Sequence, residues 1–130
     1  MKRFALSLLV AVSAGCHATA ATEDVSGRWV VKQDRDFHGN PGISVECTFK
    51  QDRTDLTVQC GNGTEMRGQL RGHKLSWGGE RTGAHPMPQD RIVLIYRGEI
   101  GEGGRTMKGT WSLTSSVLDE KGTFEAHKSE

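Results

Sequence analysis

From Val25 onward, apolar residues recur at alternate positions, and no stretch sustains the longer period of an amphipathic helix. A period of two sends successive side chains to opposite faces, so such a chain buries an apolar face only as sheet. Val25-x-Gly27-x-Trp29-x-Val31 opens the pattern, followed by Ile43 to Phe49, Leu56 to Cys60, Met66 to Leu70 and Leu75-x-Trp77. Ile92 to Ile100 is the longest run, and Met107 to Leu113 and Phe124-x-Ala126 complete the series. Eight short strands with turn residues between them predict an all-β domain. A single antiparallel up-and-down barrel is favoured because closure removes every exposed edge; an open sandwich is the alternative.

Register follows from the turns. Folding about Asp52-Arg53-Thr54-Asp55 sets Gln51 against Leu56, Phe49 against Val58 and Cys47 against Cys60. Opposed Cβ atoms lie only ~4.5–5.5 Å apart, so the two cysteines are expected to form a disulfide; two buried free thiols are the alternative. Folding about Arg71 to Lys74 pairs Leu70 with Leu75 and Gly68 with Trp77. Folding about Gly101 to Gly104 pairs Ile100 with Arg105, Gly98 with Met107, Tyr96 with Gly109 and Leu94 with Trp111. Setting Leu113 against Phe124 puts Trp111 against Ala126. Large residues thus meet glycines on the inward face, as expected where strands bend and an aromatic covers the gap.

The first twenty residues read as an address. Lys2 and Arg3 precede the apolar run Phe4 to Val12, and Ala18-Thr19-Ala20 fits a signal-peptidase site. Residues 1–20 are therefore expected to be a signal peptide and 21–130 the barrel domain. Ser13-Ala14-Gly15-Cys16 resembles the lipobox of bacterial lipoproteins, though Ser13 stands where that motif has Leu, Val or Ile. On that alternative Cys16 is a lipid anchor. Both routes export the protein to the periplasm or beyond, an oxidising compartment that suits the Cys47–Cys60 pair. No stretch reaches the ~18 apolar residues of a membrane span. With 17 Lys and Arg against 16 Asp and Glu, nothing in the charge favours nucleic-acid binding.

In an up-and-down barrel alternate connections share an end. Tight turns near 52–55, 71–74 and 101–104 fall together, whereas segments 34–42, 61–63, 79–89 and 115–121 ring the other end. Loops carry binding residues more often than the scaffold does. Phe37, His38, Arg81, His85, Met87, Val117 and Leu118 make up this mixed rim. Either they meet a partner, or the apolar ones simply cap the barrel.

Ser26-Gly27-Arg28-Trp29 resembles the Gly-x-Trp opening of calycins, the superfamily of lipocalins, fatty-acid-binding proteins and avidins. The resemblance implies an eight-stranded barrel over nearly the whole of residues 21–130, with Lys128 as the basic residue that packs near the opening Trp. Thr110 to Asp119, followed by Phe124-Glu-Ala-His-Lys128, is similar to the last two strands of avidins. That similarity implies a ligand-lining role for Trp111 and a polar contact near Ser115. Val31 stands where avidins carry an Asn and Phe124 where they carry a Trp, so biotin is not the expected ligand. Ser26-Gly27-Arg28-Trp29-Val30 also resembles the start of periplasmic metalloprotease-inhibitor barrels. In those proteins the N-terminal arm reaches the protease.

No catalytic constellation accompanies these features. Ser115 and Ser116 lack a Gly-x-Ser-x-Gly context, Asp34 and Asp36 flank Arg35 in a loop, and His38 and His85 bring no spaced ligand set. Asn62-Gly63-Thr64 has sequon form and reads better as a turn. The chain is therefore expected to be non-enzymatic, with no cofactor and no metal. One hypothesis has Trp29, Trp77, Tyr96, Trp111 and Ser115 holding a small, partly apolar molecule. A barrel of eight strands is also just wide enough for such side chains to fill it. The other hypothesis is a module that binds an extracytoplasmic protein, such as a protease or other hydrolase, through the rim or the N-terminal arm.

Overall fold

The computed structural model describes residues 23–35, 40–61, 63, 65–82 and 91–129, with backbone alone for Arg81 and Thr82. Eight strands follow one another in chain order: β1 (Gly27–Arg35), β2 (Pro41–Asp52), β3 (Asp55–Cys60), β4 (Met66–Arg71), β5 (Lys74–Thr82), β6 (Arg91–Ile100), β7 (Thr106–Thr114) and β8 (Asp119–Ser129). Each pairs antiparallel with the next, and β8 returns to β1, so the sheet closes into an up-and-down barrel without edges. No helix among the described residues is long and apolar enough to cross a membrane.

The alternation does what its period demands. On β1, Trp29, Val31 and Gln33 point inward and are buried, and on β8 Phe124 and Ala126 do the same. The β2–β3 hairpin has the expected register, with Cys47 opposite Cys60, Phe49 opposite Val58 and Gln51 opposite Leu56. Cys47 and Cys60 form a disulfide at a sequence separation of 13. Leu70 opposite Leu75 and Gly68 opposite Trp77 also stand as expected.

Two registers differ. The β6–β7 connection is not a four-residue turn: a short 3-10 segment over Glu102–Gly104, ending on Arg105, lengthens it. Tyr96 consequently meets Trp111, not Gly109; Leu94 meets Leu113, Gly98 meets Gly109 and Ile100 meets Met107. On the next pair Trp111 lies opposite Gly122, not Ala126, and Phe124 opposite Gly109, not Leu113, because β8 begins as early as Asp119. Both displacements are even, so every inward residue stays inward. The pairing of aromatic with glycine survives on different partners. Phe124 faces Gly109, and a Cβ on Gly98 would come within 2.9 Å of its ring.

The two ends are built differently. At the tight-turn end the carbonyls of Thr54, His73 and Arg105 each accept a hydrogen bond, from Leu70 N, Ile100 N and Lys128 N, all at 2.8 Å. The chain before β1 also lies across this end. Val25 is fully buried, donates its N–H to Gln51 Oε1 (2.8 Å) and accepts one from Trp29 Nε1 (2.8 Å). Glu23 Oε1 reaches His73 Nδ1 in the β4–β5 turn at 2.9 Å. At the other end β1, β2, β5 and β8 run further into the expected loops while the β3–β4 connection extends past the expected 61–63, leaving connections over 36–40, 61–65, 83–90 and 115–118.

Candidate functional site

A line of aromatic rings fills the closed half of the barrel. Trp29 meets Phe49 at 6.0 Å between centroids, Phe49 meets the edge of Trp77 at 5.1 Å, and Phe124 meets Trp77 edge-on at 5.4 Å. Tyr96 stacks on Trp77 at 4.8 Å with only 7° between the planes. Leu70, Leu75, Ile100 and Met107 pack the same core cluster. Above the Trp77–Tyr96 pair the described side chains no longer fill the interior.

A cavity of ≈ 480 Å³ occupies the open half. Val31, Gln33, Cys47, Trp77 and Tyr96 make its floor, while Ile43 and Val45 of β2 and Ile92 and Leu94 of β6 rise toward the mouth. Those four are only partly buried although they lie on the inward face. Cys60, Met66, Leu113 and Leu118 complete an apolar wall, with Glu80 near the rim. A concavity of this size lies within the ~300–1,000 Å³ typical of small-molecule sites.

Polar groups on the floor are few. The Tyr96 hydroxyl donates to Gln33 Oε1, and Gln33 Nε2 donates weakly to Arg35 O at 3.4 Å. Burial pushes the Tyr96 phenol well above its ordinary range, so it remains a neutral donor. Trp77 Nε1 is buried and has no hydrogen-bond partner among the described residues. A buried donor without a partner carries a desolvation penalty that an acceptor on a ligand or water would relieve.

No known family model, curated protein or solved structure matches the chain. The site therefore rests on its own geometry. Of the five residues expected to line a ligand site, Trp77 and Tyr96 come together on the cavity floor. The other three are not part of the lining. Trp29 belongs to the closed half, with Lys128 as its cross-strand partner on β8. Trp111 lies over Gly122, where a Cβ would come within 2.5 Å of its Nε1, and donates that N–H to Asp34 Oδ1 at 3.1 Å. Asp34 also accepts from Thr123 N at 3.1 Å, so this contact ties β7, β8 and β1 together. Partial desolvation pushes the Asp34 carboxyl up, but the bonds from Trp111 and Thr123, with Arg35 beside it, outweigh that and hold it below the usual carboxylate range. Ser115 Oγ accepts from Val117 N (3.3 Å) and Leu118 N (3.0 Å), which makes it a turn former.

Of the rim residues, Leu118 lines the mouth and is 40% exposed, while its neighbour Val117 is 67% exposed. Arg81 pairs with Ile92 through its backbone. Phe37, His38, His85 and Met87 lie outside the described residues, as do the leader with Cys16 and two of the three sequon positions. Among the described residues no group of three His, Cys, Asp or Glu is placed to hold a metal.

Sequence reasoning missed Gln33 and the aliphatic wall. Gln33 had a signal: it is a polar residue in inward phase on β1, two positions after Val31, and is 4% exposed. The wall residues had none, because nothing in alternation separates Leu94 over a void from Ile100 in packed core. A second concavity crosses the outer wall of β4 to β7, among Arg71, Lys74, Arg97 and Lys108. It is a shallow charged surface, and Lys74 there already pairs with Glu99 at 3.9 Å.

Proposed function

We propose that this is an exported, non-enzymatic binding protein whose open half holds a small, partly apolar molecule. The observation that carries the reading is the ≈ 480 Å³ apolar cavity that opens at the end of the barrel carrying the 36–40, 61–65, 83–90 and 115–118 connections and ends on the Gln33–Tyr96–Trp77 floor. A filled barrel would leave no room for a ligand; here the described side chains fill only the closed half. The closed eight-stranded barrel and the Gly27-Arg28-Trp29 opening support a calycin-like relationship, and the Cys47–Cys60 disulfide with the basic-then-apolar leader supports an oxidising, extracytoplasmic location.

The test is native mass spectrometry of the protein purified from its own periplasm, joined to titration with the neutral fluorophore N-phenylnaphthylamine. A retained small molecule, or saturable one-site binding that Leu94→Trp abolishes while the far-ultraviolet spectrum is unchanged, is the expected result. Absence of both overturns the reading.

A second reading is a protein-binding module, such as an inhibitor of an extracytoplasmic protease or other hydrolase. The exposure of Val117 and Leu118 side by side on the rim favours it. The N-terminal arm contributes less than in metalloprotease inhibitors, since Val25 is buried in the closed end. A co-purified hydrolase released by Leu118→Asp would decide for this module over the cavity.

A further inference from the structure

The cavity's charge and hydrogen-bonding inventory points to the class of molecule it accepts. This inference rests on the ligand-binding reading above. Among the described residues, no Lys, Arg or His lines the cavity. Glu80, the one carboxylate there, is engaged by Arg91 at the rim. An anionic head group carried to the floor would lose its water and meet no cation among the described lining residues, and the described lining charge, Glu80, is itself negative.

The floor is biased in a second way. Tryptophan offers a donor only, and a glutamine amide offers two N–H donors beside its one oxygen. Gln33 Oε1 is already taken by the Tyr96 hydroxyl, and Gln33 Nε2 makes only the long contact to Arg35 O. Trp77 Nε1 has no partner among the described residues and is 2% exposed as a residue. N–H donors are left over among the described residues, whereas the amide oxygen already accepts one bond, and it and the Tyr96 hydroxyl oxygen keep only further lone pairs. The apolar wall above them asks for hydrocarbon.

We infer that the ligand is an electrically neutral molecule with an apolar body and a hydrogen-bond acceptor, a ketone, ester or ether oxygen, that enters first and meets Gln33 and Trp77. Fatty-acid anions and plain hydrocarbons are both disfavoured, the first by charge and the second by leaving the donors unpaired.

The experiment is displacement of N-phenylnaphthylamine from the oxidised wild-type protein at neutral pH by methyl nonyl ketone, decanoate and undecane, three compounds of similar size. The ketone is expected to displace the probe at about tenfold lower concentration than either of the others, the scale of one net hydrogen bond or one uncompensated charge. Trp77→Phe, which removes the donor and keeps a ring, is expected to narrow the gap between ketone and undecane. Decanoate binding as tightly as the ketone, undecane matching the ketone, or a bound probe that the ketone fails to displace would each overturn the inference and leave the binding site standing. Failure of the probe itself to bind removes the site and the inference together. The wild-type comparison decides the matter even if Trp77→Phe does not fold.

Discussion

The two halves of this barrel share the same eight strands and the same alternation, yet one is solid and the other hollow. In the closed half, inward positions carry Trp29, Phe49, Trp77 and Phe124, the chain before β1 seats Val25 across the end, and each tight connection accepts a hydrogen bond from a strand beyond it. In the open half the inward positions of β2 and β6 carry Ile43, Val45, Ile92 and Leu94, and the polypeptide at 115–118 bonds chiefly within itself, Ser115 N to Leu118 O. Strands build a wall in both places. Whether the space inside is filled depends on side-chain volume and on what covers the end.

Trp29→Ala is the most severe test of the solid half. Removing a fully buried ring from the packed half is expected to cost ~3–5 kcal/mol, read by urea denaturation; a loss under ~1 kcal/mol would mean the closed half is not the tightly packed one. Next in size is the Cys47–Cys60 link. Its reduction, or Cys47→Ala with Cys60→Ala, is expected to cost ~3 kcal/mol through the freedom regained by the unfolded chain. Because both cysteines also line the cavity, the same change should loosen probe binding in the open half.

Leu94→Ala addresses the hollow half. A partly buried side chain beside an existing void loses little packing, so the expected cost is ~1 kcal/mol or less, well below the usual ~2–5 for a core Leu. An equal cost at Leu94 and Trp29 would erase the distinction between the halves. The smallest effect is at the seam. Asp34 titrates below its ordinary value in the folded protein, so the stability it adds is fully present above the unfolded carboxyl value near ~3.9 and is lost as pH falls through the lower folded one. Trp111→Phe removes the indole donor and should reduce the acid-induced fall in melting temperature across that window. An unchanged acid profile would separate Asp34 from the seam.

Legibility in the sequence followed the turns. The β2–β3 and β4–β5 registers were readable because each turn is a short stretch of polar and glycine residues between clean alternations. The β6–β7 register was not, since Gly101 to Gly104 reads equally as a four-residue turn or as the start of the 3-10 segment that extends to Arg105. At β7–β8, Asp119 to Thr123 carries no apolar alternation, so its extension of the strand was invisible until Gly122 lay under Trp111. The site was half legible. Trp77 and Tyr96 were expected and line the floor, whereas Trp29 and Trp111, equally aromatic and equally in phase, serve the core and the seam.

By itself the sequence determined the class of structure, the inward face of each strand and the Cys47–Cys60 pairing. These depend on a two-residue period and on short turns, which are local properties of the chain. Where the interior is empty, and which donors lack partners among the described residues, was settled only when the strands came together. Both depend on side chains from distant strands converging on one volume, a sum that no single strand contains.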